Sequence, residues 1–334
     1  MGGRALNGVA VTRRYEKNEY FKLRAEVTSK LIAAFGRHFH FVAAYSDKES
    51  FGDLDIVVDK AEISQSSLEG FIIEELKSKG LVKNSDVWSF EYKEFQIDLV
   101  FAVWPDWTVL WMDFNDAGNL IGRVAHKFGL KFGQNGMYLP VRDGDEKLGE
   151  ILVSRNFDAC LDFLGFDSAW HERGFDSLDD IYRFVSSSKY FNKDIYLLDN
   201  RNAKSRIRDA KRPTYTGFLK YCETLPSDHP KYEFNPDKSS YLDMIFDGFQ
   251  AYHSVKLQYN TLLKEHASEK AFKLKFNGDL VRGYTGLEGK ELGIFMTKLR
   301  GMRWLMDMAE TQSQEMIEIV VKRIFEESRS ADRE

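Results

Sequence analysis

The chain has 334 residues, is 43% hydrophobic and 30% charged, and carries a net charge of −5. It has enough apolar material for a large core, its length suggests two domains, and its net charge does not mark it as a general nucleic-acid binder. No run reaches 18 uncharged apolar residues, Met1–Arg14 lacks the apolar core of a signal peptide, and Cys160 and Cys222 are the only cysteines, which together predict a cytoplasmic chain without a membrane span, a disulfide framework or a cysteine-based zinc site.

Tyr15–Phe35 has amphipathic helical spacing and stops at Gly36. Phe39–Ala44 and Leu54–Asp59 read as strands. Ser66 or Ser67 can cap a helix reaching Lys79 and closed by Gly80. Val87–Tyr92 and Phe95–Val103 read as strands joined by a tight turn at Lys93-Glu94. Asn115–Phe128 is helical, and Gly133-Gln134-Asn135-Gly136 is a strong turn between Leu130–Phe132 and Met137–Val141. A short helix at Phe157–Leu164 ends at Gly165. Beyond about residue 170 the pattern is mostly helical: Asp176–Val185, then long helices over Tyr241–Glu265 and Gly289–Glu327, with Arg201–Pro213 as a polar linker or exposed loop. The fold class is therefore α+β, divided into 1–168 and 169–334. Trp104, Trp107 and Trp111 are expected to fill core, and His38, His40 and His126 lack ligand spacing.

The chemistry concentrates at Gly52-Asp53-Leu54-Asp55. Residues i and i+2 of a strand share one face, so Asp53 and Asp55 can bridge hard divalent cations. Asp98 adds a third carboxylate within the apolar run Ile97–Val100. If its strand neighbours the first, the three acids suit two metals ~3.5–4 Å apart. An Asp-x-Asp pair at a strand start is commonly just a solvated strand end. The third acid and the polar turn Ser46–Gly52, suited to cradling phosphates, favour the metal reading.

The segment Lys48-Glu49-Ser50-Phe51-Gly52-Asp53-Leu54-Asp55 resembles the metal-binding segment of DNA polymerase beta-like (family X) nucleotidyltransferases, and Asp98 matches their third acid. Asn119–Lys131 with Asn135-Gly136-Met137 is similar to the palm-end helix and hairpin of those polymerases, and Phe157–Gly165 to their closing helix. The resemblance spans roughly residues 25–167. It departs at Val42–Ser46, where the superfamily has Gly-Ser, and at Gly122, where the polymerases carry Arg.

What the resemblance implies is a palm-like catalytic domain that moves a nucleoside monophosphate from a nucleoside triphosphate to a hydroxyl. Asp53, Asp55 and Asp98 would hold two Mg²⁺ ions (Mn²⁺ as an alternative). Ser46, Lys48, Ser50 and Gly52 would contact the triphosphate, and Arg123, Lys127 and Lys131 the nucleotide or acceptor. The acceptor implied first is a nucleic-acid 3′ end, RNA such as tRNA, without a template. Transfer to a small molecule or protein hydroxyl, or a non-catalytic nucleotide- or nucleic-acid-binding module, are the alternatives.

Residues 1–170 hold 20 Lys+Arg against 26 Asp+Glu, and residues 171–334 hold 27 against 26. A polyanion should therefore meet the second half more easily. There Arg201, Lys204, Arg206, Arg208, Lys211 and Arg212 surround a single acid, Asp209, and precede Tyr215 and Phe218. Such a cluster can neutralise phosphates and stack bases, or be a solvated linker. Lys275–Leu280 and Gly286–Gly293 resemble a helical segment of CCA-adding enzymes and bacterial poly(A) polymerases. The likeness reaches about Phe325 and lacks both prolines of their turn. It implies a helical acceptor-binding domain.

Overall fold

The computed structural model describes residues 3–249, 255–275 and 277–331. Two compact units are present: Met1–Leu139 with Leu152–His253, and Pro140–Ile151 with Ser254–Glu334. Residues 168–253 group with the first unit, where the helix over Leu178–Ser186 packs on the one over Ala117–Lys127.

The first unit begins with β1 (Tyr15–Glu16), α1 (Lys17–Phe35), β2 (Phe39–Phe41), β3 (Ser50–Phe51) and β4 (Asp53–Asp59). Helix α2 (Gln65–Gly70) runs on into a π-helical turn at Phe71–Glu75. Then come β5 (Leu81–Asn84), β6 (Val87–Tyr92) and β7 (Phe95–Ala102). The strand order is β2-β4-β7-β6-β5, with β4 and β7 parallel and the other neighbours antiparallel.

Strand alternation decides what each face does. Leu54, Ile56 and Val58 of β4, Ile97, Leu99 and Phe101 of β7, and Trp88, Phe90 and Tyr92 of β6 share one core with Tyr20, Leu23, Val27 and Leu31 of α1. Full burial of each such side chain contributes about 1.5–3 kcal/mol. A one-residue slip of β4 would exchange these for Asp53 and Asp55, so the core fixes the register that aims the acids. Asp53, Asp55, Gln96, Asp98, Ser89 and Glu91 occupy the opposite face by the same alternation.

Several boundaries move for local reasons. Tyr15 leaves the expected helix to pair with Phe51, and its ring lies 4.5 Å from that of Phe95. The second strand stops at Phe41 because the Ala43 amide donates to the Asp113 carboxylate at 2.6 Å instead of to a strand. Ser64, rather than Ser66 or Ser67, caps α2. The helix does not reach Lys79, whose amide donates to the Glu91 carboxylate at 3.0 Å. Lys93 and Glu94 adopt φ of 54° and 59°, the paired left-handed values that let a two-residue turn follow the twist of β6 and β7.

Next are α3 (Pro105–Met112), α4 (Ala117–Lys127) and a three-stranded sheet of β8 (Lys131–Gly133), β9 (Gly136–Asp143) and β10 (Glu146–Ser154), in the order β10-β9-β8. The first unit closes with α5 (Phe157–Phe163), α6 (Ser168–Arg173), α7 (Leu178–Ser186), α8 (Ala203–Asp209), α9 (Pro213–Thr224) and α10 (Leu242–Gly248). Helix α7 starts at a reciprocal cap between Ser177 and Asp180. Helix α8 replaces the expected linker. Asn202 caps it, and Asp209 at its end is fully buried.

The second unit holds the turn ends of β9 and β10 (Pro140–Ile151) with α11 (Val255–Lys275), α12 (Gly278–Thr285), α13 (Gly289–Arg300), α14 (Arg303–Thr311) and α15 (Gln314–Ala331). The continuous helix expected over Gly289–Glu327 is interrupted at Gly301-Met302 and Gln312-Ser313, and the breaks allow Phe295, Leu299, Leu305, Ile317 and Val321 to share one core. In the stretch expected as one helix, Tyr241–Glu265, α10 ends at Gly248 and α11 starts at Val255. Residues 250–254, like Phe276, lie outside the described residues. No described helix is long and apolar enough to cross a membrane.

Candidate active site

Asp55 on β4 and Asp98 on β7 are direct partners across the parallel pair, and Asp53 is two residues before Asp55 on the same face. Neighbouring strands stand ~4.8 Å apart, so three carboxylates leave the sheet within one small area. The surroundings of Asp55 and Asp98 favour the neutral form. Burial, then Asp53 and Asp98, push the Asp55 carboxyl well above the usual carboxylate range. Asp98 is pushed up to about 6 by burial and by Asp53, against hydrogen bonds from Ser89 and Gln96.

The chain's own donors engage these oxygens. Gln96 Nε2 donates to both Asp98 oxygens at 2.9 Å, and the Gly3 amide donates to Asp53 Oδ2 at 2.9 Å. Among the described residues no group of three His, Cys, Asp or Glu forms a ready-made metal cage. The donor chemistry still suits a hard divalent cation, because three carboxylates on one face repel one another and supply oxygen ligands.

Asp53 and Asp55 open into a cleft of about 800 Å³. Its cations are Arg4, Arg14, Lys48, Arg208, Lys211 and Arg212, and its other carboxylate is Asp116. Six cations against three acids give the cleft a positive balance, and three of the six, Arg208, Lys211 and Arg212, come from the second half of the sequence. Burial lowers the pKa of the Lys48 ammonium while Asp53 and Asp55 oppose the shift, and its Nζ lies 3.3 Å from Asn115 Oδ1. Arg212 pairs with Asp116, and Arg208 donates to Asn119 Oδ1 at 3.2 Å. The wall is braced from behind by Asp209, which accepts from Arg201 at 2.7 and 2.9 Å and from Arg208 at 2.9 Å. Tyr20, Tyr45 and Trp111 supply aromatic surface.

The cleft therefore brings together Lys48, Gly52, Asp53 and Asp55 of the residues the sequence singles out, with Asp98 beside them in the sheet. Others go elsewhere. Arg123 is buried, and its guanidinium donates to the Ile195 carbonyl at 2.7 and 3.1 Å, so it holds α4 to the chain after α7 instead of facing a nucleotide. Ser50 Oγ accepts from Arg14 at 3.0 Å. Ser46 does not line the cleft, and its amide is tied to the Phe175 carbonyl at 2.9 Å. Lys127 and Lys131 do not line it either, and Lys131 lies over the Tyr138 ring at 5.7 Å. Of the three tryptophans expected in the core, Trp107 is buried, Trp111 lines the cleft, and Trp104 is 44% exposed beneath Arg155.

The sequence reading missed Arg4, Arg14, Gln96 and Gly3. Gln96 was legible, because it precedes Asp98 by two residues and so shares its face. The other three come from the N-terminal segment, whose course no local pattern reveals. No protein-family model matches the chain, and no curated protein shows significant similarity to it.

Proposed function

We propose that this chain is a two-metal nucleotidyltransferase built on a polymerase beta-like palm, moving a nucleoside monophosphate from a nucleoside triphosphate to a hydroxyl. The observation that carries the reading is the in-register pair Asp55–Asp98 on parallel neighbours, with Asp53 on the same face, beside a cationic cleft. When bound, two Mg²⁺ or Mn²⁺ ions would lower the pKa of the incoming hydroxyl and neutralise the departing pyrophosphate. Asp53 and Asp55 would hold the ions, and Asp98 would assist at the attacking hydroxyl.

Lys48, Arg208, Lys211 and Arg212 are suited to the triphosphate, since they share the acids' cleft. Ser46, Ser50, Arg123, Lys127 and Lys131 do not line the cleft and have no part in this reading. Lys204 and Arg206 are exposed on α8 outside the cleft, which supports a polyanionic acceptor such as a nucleic-acid 3′ end. Small-molecule and protein hydroxyls remain the competing acceptor classes.

The test combines each labelled nucleoside triphosphate with Mg²⁺ or Mn²⁺ and RNA, DNA, small-molecule and protein acceptors. Asp98→Asn should abolish transfer and largely preserve triphosphate affinity, because the paired acids on β4 remain. Triphosphate binding by the wild type with no transfer to any acceptor class would instead favour a non-catalytic binding module.

A further inference from the structure

The N-terminal segment runs across the acid-bearing end of the sheet and is held very unequally along its length. Leu6 is fully buried, and its carbonyl accepts from the amides of Val9 and Ala10 at 2.9 and 3.1 Å. Val9 and Ala10 pack so closely on Gly80 that a Cβ there would meet each of them at 2.9 Å, and the Arg13 amide donates to the Glu94 carbonyl at 2.8 Å. Residues Leu6–Arg13 are thus an anchored stretch. Ahead of the anchor, Arg4 and Ala5 are exposed and Gly3 is half-buried.

That short arm reaches the acids through backbone amides. The Gly3 amide donates to Asp53 Oδ2 at 2.9 Å. The Ala5 amide donates to Gln96 Oε1 at 2.9 Å, and the other end of that carboxamide donates to both oxygens of Asp98. Gly3 has φ +81°, and a Cβ on it would lie 2.3 Å from the Gly52 carbonyl oxygen, so this approach requires glycine. An amide proton and a divalent cation cannot occupy the same lobe of one carboxylate oxygen.

We propose that Gly3–Ala5 is a metal-displaced strap, with Gln96 as the positioning residue that couples it to Asp98. A divalent cation taken up by Asp53 and Asp98 exchanges the Gly3 hydrogen bond for a metal–oxygen bond, turns the Gln96 carboxamide off Asp98, and releases the Ala5 amide. Leu6 stays buried and acts as the hinge, so release leaves the anchored stretch and the sheet intact. Arg4 lines the cleft, so the same movement repositions one of its cations. The proposal rests on the reading of Asp53, Asp55 and Asp98 as metal ligands.

The experiment uses the full chain stripped with EDTA and titrated with Mn²⁺, reading Mn²⁺ affinity by electron paramagnetic resonance and amide exchange of residues 3–10 by mass spectrometry. Saturating Mn²⁺ should speed exchange at Gly3 and Ala5 about tenfold or more and leave Val9 and Ala10 protected. Gly3→Ala, which cannot keep the approach, should bind Mn²⁺ about tenfold more tightly than wild type, the size of one charge-assisted hydrogen bond no longer competing. Unchanged exchange together with equal affinity, in a protein whose Mn²⁺ binding is lost in Asp98→Asn, would overturn the strap and leave the metal site standing. Absence of Mn²⁺ binding in both proteins would overturn the metal site and the strap together. The wild-type exchange measurement requires no variant, so a poorly folded Gly3→Ala does not block the test.

Discussion

Replacing Asp98 by asparagine removes a charge that the fold holds poorly. The Asp98 carboxyl titrates near 6 in the folded chain against an ordinary 3.8. The folded state therefore binds the proton more tightly than the unfolded state does, and stability falls as pH rises through the window from 3.8 to 6. The ionised form of Asp98 at pH 8 costs the fold about 3 kcal/mol at most. Asparagine escapes that cost but sets its own amide against one Gln96 donor, a loss of about 1 kcal/mol. In EDTA at pH 8 Asp98→Asn should thus be more stable than wild type by about 2 kcal/mol, or some 4–8 °C in Tm for a unit of this size. Near pH 4 the wild-type carboxyl is protonated and the advantage should vanish or reverse slightly. The measurement is urea denaturation of both proteins at half-unit steps from pH 4 to 8. A stability difference that does not change with pH would refute the reasoning, because burial of Asp98 and its repulsion from Asp53 would then not be felt by the fold. Added Mg²⁺ at pH 8 should reverse the order by stabilising wild type more.

Arg201→Ala leaves Asp209 buried with Arg208 as its remaining arginine and should cost about 3–5 kcal/mol, read by urea denaturation. Arg123→Leu strands the Ile195 carbonyl and should cost about 1–3 kcal/mol without changing the affinity for a fluorescent nucleoside triphosphate, which separates its structural role from the expected nucleotide contact. Lys211→Ala should weaken triphosphate binding about tenfold and reduce its dependence on salt, with little effect on Tm. Neutralising Lys204 and Arg206 together should leave triphosphate affinity unchanged and flatten the salt dependence of acceptor binding by about one slope unit per lost contact.

The elements whose form depends on their own side chains were the legible ones. The β6–β7 hairpin, α1 and α4 each carry a period that local chemistry enforces, and the acid pair follows from the two-residue repeat of β4. The pairing of β4 with β7 could be anticipated from the order of strands, and with it the meeting of Asp55 and Asp98. What escaped was decided by partners distant in sequence. Tyr15 is drawn from α1 by Phe51, Lys79 from α2 by Glu91, and Arg123 from the cleft by Ile195. Arginine on the face of a helix looks the same in sequence whether it meets a phosphate or a carbonyl.

The basic segment shows how charges far apart in sequence come to line one cleft. By sequence its cations sit beyond residue 200, in the half with the more positive balance, and the acids sit near residue 50. In space Asp209 turns α8 back toward α4: its carboxylate holds Arg201 and Arg208 and comes within 3.4 Å of Asn119 Nδ2. Burying that one carboxylate is costly unless it is fully bonded, and here both oxygens are. The same bonding sets Arg208, and with it Lys211 and Arg212, across from Asp53 and Asp55. A triphosphate bound beside these carboxylates, as proposed, would need cations close by. Residues 208–212 meet that requirement, so the acids and the basic segment, which read as separate features of the sequence, form two walls of one cleft.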